Sequence, residues 1–268
     1  MIDQLTRTND FAPANIRRGN SFIIRHAKKL RPWLNRLIVR YSLVGNARVT
    51  DPALFSWIHD IEQAVPEIRR ELDRILSHER AIPPFRDFAP GHERIVEAAD
   101  WRSFFFYGYG YPVESNLERC PHTANVIARV PGLISAIYSV VAPGAHIKRH
   151  KGVNKSIMTA HIALKVPRDA ERCRMDVDGV PVVWREGRAV VIDDTYPHEV
   201  WNDTDESRVV LLIQFRRPLR FPGTLFASLI IGFVRHSSFV QKARRNLDHW
   251  EMAFASAEAN EPVSRIAA

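Results

Sequence analysis

Cysteine is scarce in this chain: two among 268 residues, Cys120 and Cys173. They lack metal-ligand spacing, and two cannot build a disulfide framework. A thiolate metal site and a disulfide-stapled secreted domain are therefore excluded, and the expectation is a reduced, cytoplasmic setting. No apolar run reaches the ~20 residues that a helical span needs. The longest, Phe221–Val234, has 14 and is interrupted by Pro222, Gly223 and Gly232. The N-terminus carries early charge and no apolar h-region, so no secretory signal is expected. A Gly-rich phosphate loop, a G-x-S-x-G elbow, an internal repeat and low-complexity sequence are also missing, which argues against P-loop enzymes, α/β-hydrolases and solenoids.

What is present is an ordinary globular composition, 46% hydrophobic and 25% charged. The length suits one or two domains with a sizeable core. The net charge of +8 is unevenly placed: residues 1–50 hold ten Lys/Arg against two Asp, and the rest of the chain holds 28 of each sign. A basic arm on a neutral body faces phosphates, of nucleic acid or of lipid. No recognisable nucleic-acid module and no aromatic interleaving accompany it, so a nucleic-acid partner is not expected.

Four regions follow. Residues 1–50 form a basic N-terminal arm, polar and frayed over 1–19. Over 21–41, Phe22, His26, Leu30, Leu34, Leu37 and Tyr41 step as one helix face among basic residues. Pro32 is expected to break that helix in two. The segment reads either as a helix on anionic lipid or as a domain-packing helix with a solvated basic face. Residues 51–100 hold one helix begun by Asp51-Pro52, a second begun at Pro66, and a loop from 81 onward. Residues 101–218 switch to short β-branched and aromatic runs separated by Pro143-Gly144, Asp178-Gly179, Glu186-Gly187 and Asn202-Asp203. The fold expected there is mainly β with flanking helices, most simply a double-sheet jelly roll. Residues 219–268 are a basic and apolar helical tail, with seven Lys/Arg and no acid over 216–246. That tail reads as a second membrane-proximal element or as a helix packed on the barrel.

Within the β region three histidines have suggestive settings: His150 at a strand end, His161 inside a strand, and His198 in Asp193-Asp194-Thr195-Tyr196-Pro197-His198. Arg208 opens the apolar run Val209–Ile213. A buried Arg needs an anion, either an internal carboxylate or a bound one held bidentately. Two histidines on different strands of a barrel, with such an Arg nearby, describe a non-haem iron site. Core and surface roles remain open for each residue singly.

The stretch Tyr138–Pro218 resembles the aspartyl/asparaginyl β-hydroxylase family of Fe(II)/2-oxoglutarate dioxygenases. The pieces that carry the resemblance are Pro143-Gly144-Ala145-His146 leading to His150-Lys151-Gly152, then His161-Ile162-Ala163-Leu164 and Trp184-Arg185-Glu186-Gly187. Ile192–Asn202, Arg208 and Arg217-Pro218 complete them, in order and spacing. A weaker likeness extends back to about Trp101. The resemblance implies a double-stranded β-helix, Fe(II) as metal, and 2-oxoglutarate and O2 as cosubstrates. It implies His150 and His198 as iron ligands, Arg208 as partner of the distal carboxylate of 2-oxoglutarate, and His161 and Ser139 as further contacts to it. Some members carry Arg where Thr159 stands, so Lys155 or Lys165 is a candidate substitute. Gly152 occupies the position from which most 2-oxoglutarate dioxygenases supply a carboxylate ligand, which leaves halogenation open beside hydroxylation. Asp193 and Asp194 are expected to form a turn or to support the ligands. Tyr107, Tyr109, Tyr111 and Trp201 are candidates to line the mouth.

The resemblance implies oxidation of a C–H bond. Its bacterial branch, which acts on acyl chains of lipids, fits two basic, apolar-flanked ends resting peripherally on the cytoplasmic face of a membrane. Hydroxylation of Asp or Asn in a peptide, or of a free amino acid, is the alternative and needs no membrane element. A non-catalytic barrel is a third reading, against which the retained His150, His198 and Arg208 argue.

Overall fold

A computed structural model describes residues 20–87, 100–152 and 154–259. The frayed segment expected over 1–19, and most of the loop expected over 81–100, lie outside the described residues.

The centre is one long hairpin rolled into two sheets. Its strands are β4 (Leu133–Val141), β5 (His146–His150), β6 (Ile157–Lys165), β7 (Cys173–Val177), β8 (Val180–Val183), β9 (Ala189–Ile192), β10 (His198–Asn202) and β11 (Arg208–Arg216). They pair in nested order, β4 with β11, β5 with β10, β6 with β9 and β7 with β8, all antiparallel. The innermost turn is Asp178-Gly179, with φ of 52° and 87°. Two consecutive positive φ values define the tight hairpin turn that Asp-Gly favours. This nesting is the jelly roll expected from the sequence. Three strands extend it, β1 (Val49–Thr50), β2 (Trp101–Gly108) and β3 (Tyr111–Pro112). The sheets run β1-β9-β6-β11-β4-β2-β3 and β5-β10-β7-β8.

Side-chain parity assigns each residue of the large sheet a face. Tyr138, Val140, Ala160, Ile162, Leu164, Val209, Leu211 and Ile213 point outward into one buried cluster. Residues of opposite parity, among them Ser139, His161 and Arg208, face the small sheet and line a cavity between the sheets. Because both faces are covered, the strands read as nearly continuous apolar runs.

The outer face is covered by α2 (Ser56–Gln63) and α3 (Val65–Leu76), which bury Trp57, Ile61, Ile68 and Leu72. The helix expected from Asp51-Pro52 is split. Asp51 caps a short 3-10 turn, Pro52–Leu54, and Phe55 is extended before α2 begins. Phe55 goes inward to pack edge-on against Phe215, 5.2 Å between ring centroids. Two helices absent from the sequence reading, α4 (Glu114–Arg119) and α5 (Pro121–Ile127), follow β3. The buried Glu71 carboxylate accepts from the amides of His122 and Thr123 at 2.8 and 2.9 Å, which caps α5 from a neighbouring helix.

The ends of the chain are helical: α1 (Asn20–Arg40), α6 (Gly223–Arg235) and α7 (Ser238–Ala259). Pro32 lies inside α1 and does not divide it. It forfeits one backbone bond. Contacts on both sides carry the helix through: the Arg31 guanidinium donates to the Gly152 carbonyl, Asn35 Oδ1 accepts from the Lys155 amide, and Ile38 packs with Leu219 and Ala227 of the tail.

Candidate active site

The cavity between the sheets has a volume of about 250 Å³. His150 and His198 stand opposite one another on paired strands β5 and β10, ring centroids 4.1 Å apart. The register shifts beside this pair, and such irregularities re-aim side chains near sites. His150 Nδ1–H donates to the Lys148 carbonyl at 2.8 Å, and His198 Nδ1–H to the Tyr196 carbonyl at 3.0 Å. A carbonyl only accepts, so Nδ1 carries the proton in both rings and Nε2 is the basic nitrogen. Backbone partners of this kind orient metal-binding imidazoles and raise their basicity. Among the described residues, no group of three or more His, Cys, Asp or Glu side chains is arranged to hold a metal ion.

Gly152 explains part of this. The place its Cβ would take is filled by the carboxylate of Asp194. The Gly152 amide donates to the Asp194 carbonyl at 2.7 Å, and the Thr159 hydroxyl donates to Asp194 Oδ2 at 3.1 Å. Burial pushes the Asp194 carboxyl above its ordinary range, against the opposing charge of His198. Its neighbour Asp193 has a separate task. It accepts from Arg217 at 2.5 Å and Lys155 at 2.6 Å, and its Oδ1 accepts from the Thr195 amide and hydroxyl. This buried cluster locks the turn before His198 to the end of β11. Adjacent aspartates thus divide the work: one holds the turn and the other faces the cavity.

Arg208 is 2% exposed. Burial lowers its pKa to about 10, so it stays cationic at neutral pH. Its guanidinium lies over the Trp184 ring at 4.4 Å. Its Nε and Nη1 have no hydrogen-bond partner, and the side chain that acts on the guanidinium is the buried Cys173 thiol rather than a carboxylate. His161 stacks on the same indole, 6.0 Å between centroids at 7°. Burial, with the charges of Arg208 and His198, lowers its pKa to about 3, so the imidazole is neutral. His161 Nδ1 and Trp184 Nε1 are likewise buried without partners. Ser139 Oγ accepts from Trp101 Nε1 at 2.9 Å, which leaves its own hydrogen to donate. Arg208, His161 and Ser139 thus bring a cation and polar atoms with unused bonding capacity to one buried wall of the cavity, a set that suits a multi-oxygen anion.

Much of the remaining wall is apolar, with Gln214, Lys151 and, from α7, Arg244 among it. Phe85 stacks on Trp101 at 3.9 Å, and Phe105 and Ile137 continue that side. Val240, Ala243 and Leu247 of α7 close the other. A Cβ on Gly108 would sit 3.3 Å from Leu247 Cδ1, so β2 and the tail helix are in close contact there.

The cavity therefore brings together His150, His198, Arg208, His161 and Ser139. It does not include Lys155 or Lys165. Each is held by a carboxylate elsewhere, Lys155 by Asp193 and Lys165 by Asp73 at 2.7 Å. Of the mouth candidates Tyr109 lines the cavity, while Tyr111 lies under Arg235 and Arg244, and Trp201 stacks with His146. Sequence reasoning missed Asp194 as the occupant of the Gly152 space, and α7 as a wall. The latter had a signal: Val240, Ala243 and Leu247 recur at helical spacing.

The family model described as aspartyl/asparaginyl β-hydroxylase matches residues 62–218. The ornithine lipid ester-linked acyl 2-hydroxylase of Rhizobium tropici is 34% identical over 228 residues, 85% of this chain and 81% of that protein. The aspartyl/asparaginyl β-hydroxylase of Homo sapiens is 28% identical over 138 residues, 49% of this chain, and the match spans only 18% of the human protein. Among solved structures, a prolyl-4-hydroxylase from Pseudomonas putida matches 57% of this chain and 88% of its own, at 19% identity and a TM-score of 0.37.

Proposed function

The chain belongs to the aspartyl/asparaginyl β-hydroxylase family, and from that premise we propose that it is an Fe(II)/2-oxoglutarate dioxygenase that hydroxylates a C–H bond on the acyl chain of a membrane lipid. The residues present fit these groups. His150 and His198 offer two basic imidazole nitrogens oriented by backbone carbonyls, the donor type that suits Fe(II). Arg208 is the observation that carries the reading: a buried guanidinium with two unpartnered nitrogens asks for a carboxylate.

When bound, Fe(II) supplies dioxygen activation coupled to oxidative decarboxylation of 2-oxoglutarate to succinate and CO2, with one oxygen atom going into the substrate C–H bond. The protein's own part is orientation. Arg208 would hold the distal carboxylate of 2-oxoglutarate, with Ser139 as a further donor. His161, kept neutral, adds no charge to repel the metal. Asp194 faces the cavity where a ligating side chain at position 152 would stand. Phe85, Phe105, Ile137 and the α7 residues exclude water around the reacting carbon. The catalytic unit would be residues 101–218, with α7 from the tail closing its cavity.

An acyl chain matches the apolar wall by burial of methylenes, each contributing about 0.8 kcal/mol. The long similarity to a protein named for acyl 2-hydroxylation adds support. Lipid mass spectrometry of cells expressing the wild type, beside cells expressing His198→Ala, tests the reading. A lipid that gains one oxygen atom only with the wild type supports it. No difference, with both proteins folded and the wild type binding Fe(II) and 2-oxoglutarate, contradicts it.

A further inference from the structure

Leu225, Leu229 and Phe233 recur every four residues along α6, a stripe on one side of the helix, and are 51%, 64% and 67% exposed, with Phe221, 79% exposed, in the turn just before it. The opposite side is anchored: Ala227 packs with Ile38 of α1, and Ile231 with Ile134 and Ile157. Alongside, α1 carries Leu30 and Trp33, each 54% exposed. A contiguous exposed stripe of large apolar side chains marks a binding surface.

The charge pattern says what covers it. Residues 20–41 contain six Lys/Arg, residues 216–246 contain seven, and neither segment has an Asp or Glu. Arg36, Arg40, Arg216 and Arg220 are exposed around these helices. Apolar side chains on basic helices match a bilayer surface of anionic lipid, apolar face in the acyl boundary and cations at the phosphates. A second copy of the chain is a poor occupant. A two-fold interface through this face would press like-charged helices together. By itself α6 is too short to span, for its 13 residues cover about 20 Å of a ~30 Å hydrocarbon core, and α7, bent 57° from it, lines the cavity.

The inner sides of these helices reach the cavity wall and the loop beside it. Ile157 lines the cavity and also packs against Ile231 on the inner side of α6. On α1, Arg31 binds the carbonyl of Gly152 and Asn35 binds the amide of Lys155, both in the loop after His150.

We propose that α6 and α1 dock this protein on anionic phospholipid bilayers, with Phe221 and the Leu225–Leu229–Phe233 stripe inserted at the interface and the cavity presented to lipid emerging from the membrane. The docking gives the lipid-hydroxylase reading its delivery route, but its measurement does not depend on that reading. Full-length protein is mixed with vesicles of phosphatidylglycerol and phosphatidylcholine, or of phosphatidylcholine alone, and sedimented. A Leu225→Ser/Leu229→Ser/Phe233→Ser variant is compared, with its thermal melt and its 2-oxoglutarate thermal shift as controls for folding and for the site. Because these side chains are exposed, both controls stay at wild-type values. The wild type binds the anionic vesicles at least about tenfold more tightly than neutral ones, and the variant loses about tenfold or more of that affinity. Equal binding by wild type and variant, or no anionic preference, overturns the proposal. So does a wild-type dimer in solution that the variant converts to monomer without any binding to vesicles. A wild type that docks but oxidises no lipid leaves the docking standing and removes the lipid-hydroxylase reading instead.

Discussion

The cavity has two parts, built on different principles. Its polar part is made by β-strands of the jelly roll: His150 and His198 on a paired ladder, His161 and Ser139 on the inner face of the large sheet, and Arg208 at the head of β11. Its apolar part is closed by α7, which lies beyond the residues the family model covers. Strands β4, β6 and β11 of the large sheet and β10 of the small one are paired on both sides, which fixes their side chains, while β5, with His150, is the edge strand of the small sheet and pairs with β10. The tail helix pairs with no strand and is held by side-chain contacts, among them the Arg119–Glu258 ion pair and the Gln241–Tyr111 hydrogen bond. In the proposed reading the strands supply the chemistry and the tail helix shapes the space for the substrate.

The comparison breaks most completely at the histidines. His198→Ala should leave no measurable succinate production from 2-oxoglutarate while the melting temperature stays near wild type. Loss of fold instead would mean that the ring is structural.

Next in size is Arg208→Met. Losing a charge-assisted bidentate contact raises the KM for 2-oxoglutarate by about 3 kcal/mol, roughly 150-fold. The unliganded variant should melt no lower than wild type, because an uncompensated buried cation is removed. In thermal-shift assays 2-oxoglutarate then stabilises the wild type and not the variant. A variant that melts well below wild type without ligand would reveal a structural role for Arg208.

Gly152→Ala follows. Its Cβ would overlap the Asp194 carboxylate, and overpacking costs about 1–3 kcal/mol. Lower stability and weaker Fe(II) binding should appear together. Wild-type behaviour would show that Asp194 moves freely.

A pH dependence follows from His161. Its folded pKa of about 3 lies below the ordinary 6.5. The unfolded chain takes up a proton that the folded one refuses, so this contribution is complete above pH 6.5. It is lost as pH falls from 6.5 toward 3, by about 1.4 kcal/mol per pH unit. Chemical denaturation across that range should show the decline, less steep in His161→Gln. Parallel curves would remove His161 as its source.

The smallest effect sharpens the apolar half. Leu247→Trp should cost about 0.8 kcal/mol in kcat/KM for each excluded methylene, falling on longer acyl chains, while the KM for 2-oxoglutarate is unchanged. A change in 2-oxoglutarate affinity would show that the two parts are not separable.

The strand half was legible in the sequence because its signals are local. Turn residues at Asp178-Gly179 and apolar runs marked the roll, and the proposed ligand positions were implied by the resemblance over Tyr138–Pro218. Other features depend on distant partners. Asp194 is defined by what a glycine at 152 leaves open. The cap of α5 comes from Glu71, some 50 residues earlier, and α1 passes through Pro32 because Gly152, Lys155 and α6 hold it. The α7 wall had a helical stripe, but nothing nearby said which surface it would meet.

The most direct test uses purified protein, Fe(II), 2-oxoglutarate and isotopically labelled dioxygen, with an acyl lipid as substrate. Predicted is one labelled oxygen atom on the acyl chain per succinate formed, abolished in His198→Ala. Succinate formation with an unmodified lipid, while an Asp- or Asn-containing peptide takes up the label, would contradict the account.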